Sequence, residues 1–182
     1  MCAAPGGKST QLKLKLNENG MLVSNEIVPS RCKILTGNIE RLGLHNVVTT
    51  CMDTEKLARH FPKTFDLIMV DAPCSGEGMF RKDEEAQKQW SEDNVALCEA
   101  RQRRIIADMW PCLKKGGVLV YSTCTFNRYE NDGNVDWISK ELGADIIHPM
   151  DEVVQGVMPT ERGFSLVPGH VEGEGQYCAA LE

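Results

Sequence analysis

Short apolar runs of strand length alternate with helical patterns along this chain, and that alternation constrains the fold more than any other feature. Residues 21–27 (MLVSNEI), 46–50 (NVVTT), 66–70 (DLIMV) and 118–122 (VLVYS) combine strand length with β-branched content. Helical spacing runs through residues 9–17, 30–42, 55–60, 93–113 and 128–142, several of them closed by a glycine such as Gly20, Gly43, Gly116 or Gly143. Strands and helices in turn imply parallel strands joined by right-handed crossovers, so the expected fold is α/β with a doubly wound sheet. No repeat or linker interrupts the pattern, and one domain over residues 1–182 is expected. The glycine-rich residues 5–8 should follow a supporting strand, yet only four residues precede them. The final run, residues 176–181 (QYCAAL), stops where a last strand would be running. Both ends therefore read as cut, with the first strand missing.

In such a sheet ligands bind beyond the carboxyl ends of the strands, which directs attention to the loops there. CAAPGGKSTQL (residues 2–12) is a small-residue turn opening a helix. Ala3, Ala4, Gly6 and Gly7 allow close backbone approach to a ligand, and the helix start offers free N–H donors for a carboxylate or phosphate. Glu26 ends the next apparent strand, some twenty residues on, where an acid can accept both hydroxyls of a ribose. Asp53 follows the third and is placed to meet an adenine amino group, although taken singly it reads equally as a helix cap.

The stretch DAPCSGEGMFRKD (residues 71–83) carries the most information. A hydrophobic strand delivers Asp71, Pro73 fixes the turn, and Cys74 is held at a rim where Gly76 and Gly78 leave room for a bulky substrate. STCTF (residues 122–126) ends the next strand with a second thiol, Cys124. Adjacent strands would aim both sulfurs into one cleft. Without paired CxxC spacing they do not suggest a zinc site, and no metal is expected; covalent catalysis is the sharper reading.

Net charge is −6, the wrong sign for a free-standing binder that neutralises phosphates, so any nucleic-acid affinity would have to come from a local basic cluster such as Arg101, Arg103 and Arg104 or from appended domains. No apolar run is long enough to span a bilayer and no secretory leader is recognisable, which points to a cytoplasmic chain, with no membrane partner, whose eight cysteines stay reduced.

These residues together resemble the RNA cytosine-C5 methyltransferases of the NOL1/NOP2/Sun type, nearest to their bacterial ribosomal-RNA branch, that of RsmF. The likeness runs over nearly the whole chain, through CAAPGGKSTQ, VDAPCSGEGMFRKD, STCTF and VEGEG. It implies a Rossmann-like methyltransferase sheet, mostly parallel with an antiparallel last strand. Also implied is an S-adenosylmethionine pocket built from Cys2, Ala3, Ala4, Pro5, Gly6, Gly7, Lys8, Glu26, Arg31, Asp53 and Asp71. Cys124 would be the nucleophile, Cys74 the residue that assists product release, and Asp71 and Lys8 groups around the target base. The substrate would be ribosomal RNA, 16S in that branch, with transfer RNA as the alternative, and the enzyme a monomer. Family members also carry RNA-binding regions that these 182 residues lack, so the isolated chain is expected to be a weak enzyme.

Two readings compete. A dinucleotide oxidoreductase is disfavoured because the loop holds no GxGxxG and the two thiols would have no task. A non-catalytic RNA-binding or assembly fragment differs from an enzyme in forming no covalent RNA adduct.

Overall fold

The computed structural model describes residues 1–148 and 155–182. The chain forms two compact units, Met1–His60 and Phe61–Glu182. In the first, helix α1 (Gly7–Lys15) leads to strand β1 (Leu22–Asn25), helix α2 (Pro29–Arg41), strand β2 (Val47–Thr50) and helix α3 (Thr54–His60). Pro29 pre-sets the backbone angle at the start of α2 and its missing N–H costs nothing there. The 13-residue helix carries the chain back, so β2 lies parallel to β1, in register from Leu22 opposite Val47 to Asn25 opposite Thr50. Leu35 and Ile39 of α2 bury against Ala4, with Ala3, Leu44 and Val47 at the edges of that cluster. Gly6, at φ 114°, has Leu35 Cδ1 3.0 Å from where a Cβ would stand, which explains the glycine on both steric and conformational grounds.

The second unit begins with strand β3 (Phe65–Asp71), followed by a single 3₁₀ turn (Glu77–Met79), helices α4 (Glu84–Gln89) and α5 (Glu92–Met109), and strand β4 (Leu113–Thr123). Helix α6 (Asp132–Leu142), the short strands β5 (Ile146–Ile147), β6 (Val157–Pro159) and β7 (Phe164–Leu166), and strand β8 (Gln176–Leu181) complete it. Strand order is β3-β4-β8-β7-β6, with β5 paired to β8. β3 and β4 are parallel, with Val70 opposite Tyr121 and Asp71 opposite Ser122, as the crossover through α4 and α5 requires. β8 runs antiparallel to β4, which is the antiparallel last strand that the family resemblance implies. Ile68 and Val70 of β3, Leu119 and Tyr121 of β4, and Tyr177, Ala179 and Leu181 of β8 are buried together with Ile106 and Met109 of α5 and Val135 and Ile138 of α6. The rings of Tyr121 and Tyr177, on neighbouring strands, meet edge-on at 6.4 Å, a favoured aromatic geometry. No helix among the described residues is long and apolar enough to cross a membrane.

Several boundaries differ from the sequence expectation, among them the start of β4, at Leu113 instead of the expected residue 118. The helix expected over residues 93–113 ends at Met109, because Pro111 converts the next turn to 3₁₀, and Gly116 lies inside β4 at φ 75° instead of closing a helix. The helix expected from residue 128 starts at Asp132, because the Asn127 side chain captures the Glu130 N–H at 2.9 Å and holds a turn there. Helix α4 and the strands β5, β6 and β7 are too short for periodicity to announce them.

Candidate active site

Strands β3 and β4 end side by side, so their following loops leave the sheet at the same place. Ala72 N–H still donates to Ser122 O at 2.8 Å, after which Pro73 turns the first loop and Cys74 follows. Cys74 and Cys124 are both part-buried, with their sulfurs 3.1 Å apart, and the Cys124 backbone N–H donates to Cys74 Sγ at 3.3 Å. A hydrogen bond from the neighbouring sulfur, burial, and the charge that Cys124 would carry push the Cys74 thiol well above its ordinary value. The pair parts with one proton more readily than two. Asp71, at the end of β3, accepts from Ser122 Oγ at 2.9 Å, which orients its carboxylate against the neighbouring strand.

The two thiol loops are clasped to one another by a pair of glutamates acting in opposite directions. Glu77, from the first loop, accepts from the backbone N–H of Phe126 at 2.7 Å and of Asn127 at 2.9 Å in the second. Glu130, just beyond the second loop, accepts from the Ser75 N–H of the first at 3.0 Å. It also takes Asn127 Nδ2 and Gln102 Nε2, each at 2.7 Å, and is fully buried. Burial makes the Glu77 carboxyl harder to ionise, but the N–H of Phe126 and the groups of Thr125, Asn127 and Trp90 outweigh it, so that its pKa lies below the usual value. Gln102 Oε1 in turn accepts from Asn134 Nδ2, and Tyr121 Oη shares its one proton between Glu130 O at 2.6 Å and Gln102 Oε1 at 3.0 Å. At Gly78 the backbone closes further, since a Cβ there would stand 2.9 Å from Cys124 O and from Gly175 O. The Gly78 N–H donates to that same Cys124 oxygen at 2.9 Å.

In the first unit the small-residue loop folds onto the end of β1. Ala3 N–H donates to Asn25 O at 3.0 Å, Ala4 N–H to Glu26 Oε2 at 3.3 Å, and Val28 N–H to Glu26 Oε1 at 3.2 Å. Glu26 is buried, and Arg31 reaches over it, 3.8 Å from Oε2, to donate to Ala4 O at 3.0 Å. Asn38 Nδ2 donates to Pro5 O at 2.9 Å. Cys2 has a left-handed φ of 56°. Lys8 lies in the first turn of α1, part-buried, next to Gly7, where a Cβ would meet nothing within 4 Å. Asp53 precedes α3 and accepts from Glu55 N at 3.1 Å, the helix-cap arrangement. Thus Cys2–Gly6, Glu26 and Arg31 gather around one carboxylate in the first unit, while Cys74 and Cys124 meet in the second beside Asp71 at the end of β3.

The family model for the 16S rRNA methyltransferase RsmB/F matches residues 1–182. The chain belongs to this RsmB/F family. It is 40% identical over 185 residues to the ribosomal RNA small subunit methyltransferase F of Pectobacterium atrosepticum, with 100% of this chain covered and 38% of that protein. The protein of the same name from Escherichia coli O157:H7 is 41% identical over 186 residues, with 100% and 39% covered. The chain thus spans well under half the length of these relatives. Among solved structures, NSun6 from Pyrococcus horikoshii with SFG superposes at a TM-score of 0.83 and 28% identity, over 100% of this chain and 46% of that one.

Sequence reasoning on this RsmB/F-family chain missed the residues that hold the site together. These are Glu77, Gln102, Asn127 and Glu130, none of which motif or spacing singled out. Asn25 escaped notice as well, although it is buried and ties β1 to the loop after β2 by donating to Met52 O and accepting from Met52 N and Thr50 Oγ1. The faint signal was the density of Asn and Glu directly after STCTF, in residues 127–132 (NRYEND).

Proposed function

We propose that this chain is the catalytic part of an S-adenosylmethionine-dependent methyltransferase that modifies carbon 5 of a cytosine in small-subunit ribosomal RNA. The observation that carries the reading is the 3.1 Å approach of Cys74 and Cys124 at the ends of adjacent parallel strands. Membership of the RsmB/F family supports ribosomal RNA as the substrate. S-adenosylmethionine supplies an electrophilic methyl group. Cys2–Lys8, Glu26, Arg31 and Asp53 of the first unit would hold it: the backbone donors at the start of α1 suit its carboxylate, and the buried Glu26 suits its ribose.

Carbon 5 of cytosine is a poor nucleophile, so one hard step is split into two. The Cys124 thiolate bonds to C6 and the C5–C6 π pair moves to C5, which would then bond to the methyl carbon as the methyl–sulfonium bond breaks and S-adenosylhomocysteine leaves. Asp71, near N3 and the amino group, stabilises the proton that the ring takes up on N3 in the adduct and gives back on release. Release needs the C5 proton to leave, the C5–C6 double bond to re-form and the S–C6 bond to break, returning Cys124 as thiolate. While Cys124 is bonded to carbon, its charge no longer opposes ionisation of Cys74. Cys74 can then give up its own proton to water and remove the one on C5 as a base. The target base must leave its stack to reach the thiols, which favours single-stranded or loop RNA.

Trapping tests this. In the full-length protein with small-subunit ribosomal RNA, C74A should accumulate an adduct that survives denaturing gel electrophoresis, and C124A should not. An adduct with C124A, or none with either variant, would refute the assignment.

A further inference from the structure

Three large aromatic side chains are exposed among the described residues, Trp90, Phe126 and Tyr129, and none is scattered at random. Phe126 follows Cys124 by two residues, Tyr129 lies on the same loop, and Trp90 is tied to that loop through Glu77, which accepts from Trp90 Nε1 on one oxygen and from Phe126 N on the other. Exposed aromatics are costly to leave in water unless something covers them in use. Phe126 is 42% exposed, yet its position is fixed: the ring lies on the backbone of Gly175, where a Cβ would stand 2.1 Å from Cζ and 2.5 Å from Cε1. Any side chain at residue 175 would displace the ring. Its backbone N–H is held by Glu77 as well, so the part-exposed ring stands on a rigid base.

The loop that brings Gly175 also brings Glu174, which binds Arg81 Nη2 at 2.6 Å and Lys82 Nζ at 3.0 Å. Both cations remain largely exposed, at 66% and 62%, and the trio carries a net positive charge in a chain whose own total is −6. A π-face and a small cationic cluster on segments packed around Cys124 match a nucleotide, one offering a stacking surface and the other neutralising phosphate.

Resting on the methyltransferase reading above, we propose that Phe126 is a stacking platform for an RNA base immediately flanking the target cytosine, with Arg81 and Lys82 against the adjoining phosphates. Phe126 thus binds substrate beside the reacting base and helps select unpaired RNA.

The test uses the full-length protein, S-adenosylmethionine and two versions of a ribosomal RNA fragment carrying the target, one natural and one abasic at the nucleotides directly 5′ and 3′ of it. For wild type the abasic positions should raise KM roughly ten- to a hundredfold, the range expected for one stacked base. F126A should show that loss on natural RNA and lose little more on the abasic fragment, while F126W should restore the discrimination. Alkylation of Cys124 by iodoacetamide should proceed in F126A at the wild-type rate, separating lost stacking from a disturbed thiol loop. Equal sensitivity of wild type and F126A to the abasic flanks, or slowed alkylation that accounts for the whole defect, would overturn the proposal. Failure of wild type to methylate even the natural fragment would instead bring down the methyltransferase reading, and the platform with it.

Discussion

Replacing Glu130 is the sharpest probe of how the two thiol loops are held. Its carboxylate is fully buried and receives three uncharged donors: the Ser75 N–H, Gln102 Nε2 and Asn127 Nδ2. Two of the donors have other partners, Gln102 Nε2 on Pro73 O and Asn127 Nδ2 on Thr125 Oγ1, so E130A leaves only the Ser75 N–H without any. That orphan costs about 1–3 kcal/mol, and each half-satisfied amide adds roughly 1 kcal/mol more, with a further contribution from the emptied space. The sum is about 3–6 kcal/mol. E130Q keeps one oxygen for Ser75 but sets its NH₂ against that of Gln102 or Asn127. Neither can flip to relieve the clash, because Gln102 Oε1 already accepts from Tyr121 and Asn134, and Asn127 Oδ1 from Glu130 N. It should therefore lose about 1.5–3 kcal/mol. Urea denaturation followed by tryptophan fluorescence measures both, and a loss of 3 kcal/mol moves the midpoint by roughly 1–3 M. An E130A variant within about 1 kcal/mol of wild type, or an E130Q variant weaker than E130A, would refute the account of a mutually satisfied network.

Two further outcomes follow from the same geometry. G78A must push apart the backbones at Cys124 and Gly175, each with an atom 2.9 Å or 3.0 Å from the new Cβ, so it should cost about 1–3 kcal/mol and slow adduct formation by Cys124; wild-type thermal stability and adduct yield would contradict this. The thiols of Cys74, Cys98 and Cys112 and the phenols of Tyr121 and Tyr177 are all raised in the folded chain, Cys74 first by its neighbouring sulfur and the others first by burial. The folded state thus holds these protons more tightly than the unfolded one. Their contribution is fully present below about pH 9 and is lost as pH rises further, at about 1.4 kcal/mol per pH unit for each proton released first on unfolding. Urea midpoints that stay level from pH 8 to pH 11 would show the sign to be wrong.

The sequence by itself determined the elements and the chemistry offered at their ends. Alternating apolar runs set the parallel pairs β1 with β2 and β3 with β4, since strand and helix periods are local properties of a dozen residues or fewer. Small residues at 3–7, and thiols just past two hydrophobic strands, were legible because turn-forming residue types are read one position at a time. Tertiary structure alone decided that the two sulfurs stand 3.1 Å apart and that Glu77 and Glu130 are clasps and not solvated charges. A carboxylate's role depends on which donors burial brings to it, and those of Glu130 come from Ser75, Gln102 and Asn127, as much as 55 residues away. Asn127 is a near neighbour in sequence, but nothing around position 130 encodes Ser75 or Gln102; only closure of β3, α5 and β4 brings them to it.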